Sequence, residues 1–152
     1  MKPPFKDVPL SNIDLIKWCD YLQIPIKGIF SRNETKPLLH PPCIINMDDF
    51  GSLGTHWVCC WPGKKGMEYF DSFGMPPPLE WEKEMYQLGH KTFLRNDNQI
   101  QAVDSLRCGY YCLLFLNERN RGVSFPNLLK WFSPDVRANE RVVKNYFLHI
   151  PR

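Results

Sequence analysis

The sequence predicts an α+β fold, a single domain over residues 1–152 in which a mixed β-sheet packs against helices. Three observations carry this. Periodic segments follow the order helix, strands, helix, strands, helices, with no repeat, low-complexity tract or linker between them. The stretch Thr55 to Ser72 is rich in β-formers and folds back on itself through a glycine-bounded loop. From Cys108 to Asn117 the apolar residues are nearly continuous, which suits a buried helix better than so long a strand. At 152 residues, 43% hydrophobic and 14% aromatic, one domain with a sizeable core is expected.

The first helix is read over Ser11 to Leu22, where Leu15, Trp18, Cys19 and Leu22 recur at helical spacing and Ser11 with Asp14 resembles a capping box. From Ile24 to Pro42 proline and glycine punctuate the chain, so irregular structure with short extended pieces is expected. Strands follow at Cys43 to Met47 and Thr55 to Trp61, then, after the turn Pro62 to Gly66, at Met67 to Ser72. Pro76-Pro77-Pro78 precedes a second helix, Leu79 to Leu88, with Trp81, Met85 and Leu88 as its apolar stripe. Lys91 to Leu94 and Gln99 to Val103 are short strand candidates. After the helix at Cys108, helices over Ser124 to Phe132 and Pro134 to Phe147 close the chain, each entered through a cap or a first-turn proline.

The net charge of +3 is spread along the chain apart from Lys64–Lys65 and Arg119 to Arg121, too mild for nucleic-acid binding to be the main task. Weak attraction to polyanions stays open. The N-terminus is charged and proline-broken, and no apolar run approaches the roughly 18 residues of a membrane span, so a protein that is neither membrane-bound nor secreted is expected. Six cysteines without a secretory signal read as free thiols. No metal site is expected from Cys19, Cys43, Cys59, Cys60, Cys108 and Cys112 with His40, His56, His90 and His149. The one C-x3-C lies in an apolar run, and Cys59 and Cys60 face opposite sides of a strand.

Cys108 opens the buried helix, where backbone N–H groups and the helix dipole favour a thiolate, the form that attacks a carbonyl carbon. A thiolate in peptide hydrolysis needs a base that can return the proton to the leaving amine, and histidine has the suitable pKa. His56 stands at the start of a strand in Gly-Thr-His-Trp-Val, able to project from a sheet edge. Asp71 follows fifteen residues later at the far end of the partner strand, so hairpin pairing makes the two neighbours. Oxyanion stabilisation needs donors placed in advance: the Cys108 N–H is one, and Gln101 or Gln99 could supply an amide. Alternation puts both glutamines on one strand face, so spacing does not separate them. Taken singly, each of these residues also has an ordinary structural reading.

Together, Gly-Thr-His56-Trp57, Tyr-Phe-Asp71-Ser-Phe-Gly and Gln101-x3-Ser105-x2-Cys108-Gly109 resemble the adenovirus protease (adenain) family, of one clan with SUMO-specific proteases and with proteases of other large DNA viruses and polintons. The chain order His, acid, Gln, Cys separates this clan from papain-type enzymes. The resemblance implies a central helix headed by the nucleophile Cys108, facing His56 as base, Asp71 as its acidic partner and Gln101 as oxyanion residue. It also implies a narrow aromatic-lined cleft, for which Trp57 is the candidate substrate-binding residue. A cysteine endopeptidase without cofactor is expected, a monomer that cleaves viral structural precursors at glycine-containing sites during virion maturation, within the virion and host nucleus or cytoplasm. The alternatives are a SUMO or ubiquitin-like isopeptidase and a catalytically silent binding module. Activation by DNA or a peptide stays open, but no cysteine lies between Cys60 and Cys108, so a disulfide-linked peptide is not expected. The segment after Cys108 is also shorter than in adenovirus enzymes.

Overall fold

The computed structural model describes residues 1–34, 40–48, 56–89 and 93–151. Thr55, His90, Lys91 and Thr92, which figure in the sequence expectations, lie outside the described residues.

The chain runs α1 (Asn12–Leu22), β1 (Gly28–Ser31), β2 (Cys43–Asn46), β3 (Trp57–Gly63), β4 (Gly66–Phe70), α2 (Leu79–Gln87), β5 (Phe93–Arg95), α3 (Cys108–Asn120), α4 (Phe125–Leu129) and α5 (Val136–Leu148). The five strands form one mixed sheet in the order β1-β2-β3-β4-β5, parallel at both edges and antiparallel in the middle. This is the α+β architecture read from the sequence.

The central strands β2, β3 and β4 are largely buried on both faces, and the alternation of their side chains shows how. Ile44, Trp57, Cys59 and Phe70 enter a core shared with α1, α3, α4 and α5. Their neighbours Cys43, Ile45, Val58, Cys60, Met67 and Tyr69 enter a smaller core closed by Trp81 and Met85 of α2. A strand covered on both sides is apolar without a polar alternate, which is why Trp57 to Cys60 reads as a continuous apolar run.

Local signals account for most elements. Ser11 and Asp14 form the expected capping box: the Ser11 hydroxyl accepts from the Asp14 N–H and the Asp14 carboxylate from the Ser11 N–H. Ser124 and Asp135 cap α4 and α5 with their side chains. The β3–β4 turn is tighter than expected, with Gly63 paired to Gly66 around Lys64–Lys65 and Gly66 at φ 139°. Trp81 and Met85 of the α2 stripe are buried, whereas Leu88 is exposed just past the helix end.

Within the stretch from Ile24 to Pro42, one of the expected short extended pieces is the strand β1, whose Ile29 and Phe30 pair with Ile44 and Ile45. One expectation is corrected. The stretch Gln99 to Val103 is a loop: Ile100 and Gln101 give both their N–H groups to one acceptor, the Ser72 carbonyl, instead of to a ladder. Gln99 is exposed and Gln101 is buried, so burial separates two residues that strand alternation would have placed together.

α3 is buried along nearly its whole length, Cys108 to Glu118. Gly109 sits tightly: a Cβ there would stand 3.2 Å from Leu10 Cβ and 3.4 Å from Leu15 Cδ2, so these neighbours would have to give by a few tenths of an ångström. The C-terminal end of α3 is tied to the sheet by a partly buried fork–fork pair, Arg119 Nε to Glu68 Oε1 at 2.6 Å and Arg119 to Glu68 Oε2 at 2.8 Å, with Glu68 itself buried. Arg119 also lies over the Trp61 ring. Removing one member of such a pair strands a buried charge. Arg119→Met should therefore lower the unfolding free energy in urea by about 3–5 kcal/mol, and Glu68→Met in the same chain should recover most of the loss. Replacing Arg137 of the exposed pair Arg137–Asp104 by alanine should leave the urea midpoint almost unchanged.

Candidate active site

The β3–β4 ladder extends from Gly63–Gly66 to Cys59–Phe70, and the two strands part beyond it. His56 immediately precedes β3 and Asp71 immediately follows β4, so the parting strands hold the two side chains face to face. His56 Nε2 lies 2.7 Å from Asp71 Oδ1, with side chains 15% and 4% exposed. A carboxylate can only accept, so Nε2 carries the proton in this contact. The ring is held from the side by Phe73, centroid to centroid 4.6 Å.

Asp71 is itself fixed from three directions. Its Oδ1 also accepts the Phe73 N–H at 2.8 Å, and its carbonyl accepts the Gly74 N–H, the turn chemistry expected of an Asp in this position. Asn96, buried just beyond β5, clamps the Asp71 backbone: its Oδ1 accepts the Asp71 N–H at 3.2 Å and its Nδ2 donates to the Asp71 carbonyl at 2.6 Å. A side-chain amide thus continues the β4–β5 pairing after the backbone ladder ends at Tyr69–Arg95. Sequence reasoning did not single out Asn96, because an Asn between a strand and a turn reads as loop punctuation.

With Nε2 committed to Asp71, Nδ1 is the nitrogen left for a reacting group. It is buried. Cys108 is its chemical neighbour. Burial opposes the imidazolium, but the hydrogen bond to Asp71 and then Cys108 outweigh it and push the His56 pKa up to about 9. The Cys108 side chain reaches the site from the first residue of α3, and its Sγ accepts the Trp57 backbone N–H at 3.4 Å. The residue is 5% exposed. The sulfur thus sits at a helix N-terminus with a backbone donor on it.

Trp57, expected along the cleft, is 7% exposed and packs in the main core with its indole N–H on the Leu10 carbonyl at 2.9 Å. Its link to Cys108 runs through its backbone. Gln101 is fully buried. Its Oε1 accepts from Ser72 Oγ at 2.5 Å and its Nε2 donates to the Ser105 carbonyl at 3.0 Å. The loop from Gln101 to Cys108 is thereby hung from the dipeptide that also carries Asp71. Arg107, which precedes the cysteine, reaches Asp7 at 2.7 Å and the Glu140 carbonyl at 3.1 Å, fastening the head of α3 to the N-terminal segment and to α5. None of the six cysteines is in a disulfide. Among the described residues no group of three or more His, Cys, Asp and Glu could hold a metal ion, and no helix is long and apolar enough to cross a membrane.

A solved protease carries this fold. The chain matches the selenomethionine crystal structure of ASFV pS273R protease with a TM-score of 0.58 and 18% identity, covering 99% of this chain and 72% of that one. At this identity the likeness is one of fold. No family model matches the chain, and no curated protein does.

The His56–Asp71 contact sets a pH dependence of stability. The imidazole pKa is raised on folding, so the contribution is complete below the unfolded value of about 6.5 and is lost as pH climbs through about 9. The wild-type unfolding free energy should fall by up to about 3 kcal/mol between pH 6 and 9.5 relative to Asp71→Asn, measured in urea. Parallel pH profiles for the two proteins would show that the pair is not formed as described.

Proposed function

We propose that this chain is a cysteine endopeptidase in which Cys108 is the nucleophile, His56 the acid–base, Asp71 its orienting carboxylate and Gln101 the oxyanion amide. The observation that carries the reading is the convergence of three separate elements on one point. The start of β3 brings His56, the end of β4 brings Asp71 at 2.7 Å, and the head of α3 brings a buried thiol under the Trp57 N–H. The fold shared with ASFV pS273R protease supports it.

The chemistry follows from the placement. Cys108 Sγ, as thiolate, adds to the scissile carbonyl carbon while its proton resides on His56. The oxyanion that forms takes hydrogen bonds from the Cys108 backbone N–H and from Gln101, donors placed before the reaction. Collapse expels the amine, which takes its proton from the imidazolium; an imidazole pushed up to about 9 is in the protonated form at neutral pH. A thioester on Cys108 remains. His56, now neutral, takes a proton from water as it attacks, and the acid product leaves with the thiol restored. Asp71 keeps the ring turned so that the same nitrogen serves both steps.

The resemblance to adenovirus-type enzymes supports proteins as the substrates, viral structural precursors cut at glycine-containing sites. It also supports action in the virion and the infected cell. Cys108→Ala and His56→Ala should each abolish hydrolysis of a peptide with a Gly-Gly-type site, while Cys112→Ala, a buried thiol one turn along α3, should keep most of the activity. Activity surviving in Cys108→Ala and lost in Cys112→Ala would overturn the assignment. Presenting SUMO, ubiquitin and capsid-precursor probes in parallel decides the substrate: the account expects turnover of the precursor, and release of SUMO or ubiquitin alone would make the chain an isopeptidase.

A further inference from the structure

We propose that Ser72 is a positioning residue for the oxyanion amide, acting on Gln101 and not on substrate. This deepens the protease reading and rests on it, and on Gln101 as donor.

Ser72 is buried, 1% exposed, and its hydroxyl donates to Gln101 Oε1 at 2.5 Å. Which end of the Gln101 amide faces Ser72 follows from its other contact. The Ser105 carbonyl, 3.0 Å from Nε2, can only accept, so the amide nitrogen must lie on that side and the oxygen on the side of Ser72. The Ser72 hydroxyl has one hydrogen, and it is given to Oε1. The Gln101 NH2 group has two: one is given to Ser105, and the second remains for the oxyanion.

Two consequences follow for that second hydrogen. Held at the oxygen by Ser72 and at one N–H by Ser105, the amide plane has no freedom to rotate, so the remaining N–H has a fixed direction before substrate arrives. A hydrogen bond accepted at the amide oxygen also draws electron density from nitrogen and makes its N–H groups stronger donors. The frame for this is rigid, because the Ser72 carbonyl accepts the backbone N–H groups of both Ile100 and Gln101 at 2.9 Å. Ser72 directly follows Asp71. One dipeptide at the end of β4 therefore orients the base through a carboxylate and the oxyanion donor through a hydroxyl, which keeps the two halves of the catalytic apparatus in register.

The test compares steady-state kinetics of Ser72→Ala, Ser72→Cys, Gln101→Ala and the double variant Ser72→Ala/Gln101→Ala on one Gly-Gly-type peptide, with urea unfolding of each. Ser72→Ala and Ser72→Cys should lower kcat on the order of tenfold with KM nearly unchanged, against a loss on the order of 10²-fold for Gln101→Ala. The double variant should be no slower than Gln101→Ala, since Ser72 acts only through that amide. Ser72→Cys keeps the size of the side chain while weakening the donor, so it carries the test if the alanine variant does not fold. Unchanged kcat per folded molecule, or losses that multiply in the double variant, would overturn the inference while leaving the protease reading intact. Absence of hydrolysis by the wild type would sink both.

Discussion

The hydrogen bond between His56 Nε2 and Asp71 Oδ1, 2.7 Å long and nearly dry, decides which nitrogen of the imidazole is left for Cys108. Neither residue belongs to the ladder of β3 and β4. Both stand at the point where that ladder stops, and its register sets their separation. A slip of one residue would turn Val58 and Cys60 into the wrong core and carry His56 away from Asp71 in the same movement. The packing of the sheet on both faces therefore protects the geometry of the site, because any register that breaks the contact also exposes apolar side chains.

The third member arrives from outside the sheet, and its position depends on several independent ties. Gly109 lets Leu10 and Leu15 approach the head of α3. Arg107 fastens that head to Asp7 and to α5, and Glu68 holds the far end of the helix through Arg119. The loop leading to Cys108 is suspended from Ser72 by two backbone hydrogen bonds and one side-chain bond. These ties converge on a sulfur whose backbone donor, Trp57, sits one residue from His56. Under the proposed mechanism, positioning residues outnumber reacting ones, as expected where catalysis relies on groups fixed before the substrate binds.

Much of this was legible in the residues. Ser11 with Asp14 announced α1, the β-rich hairpin fixed the spacing of His56 and Asp71, and the apolar run after Cys108 announced the central helix. What escaped has a common cause: the chain uses side chains where a backbone ladder was expected. Asn96 completes the pairing beyond β5 and Ser72 anchors Gln101, so the 96–101 segment is ordered without being a strand. Propensity cannot register that, since Asn and Ser signal a turn wherever they stand. β1 was legible only as a short extended piece among prolines and glycines, because its order comes from pairing with β2.

Competitive alkylation reports most directly on whether Cys108 is the activated thiol. At neutral pH, with limiting iodoacetamide and each of the six cysteines quantified by peptide mass spectrometry, the account predicts that Cys108 is modified first in the folded wild type. It also predicts that this preference collapses in His56→Ala. Modification of Cys108 no faster than that of the other five, or a Cys108 rate indifferent to the loss of His56, would contradict it.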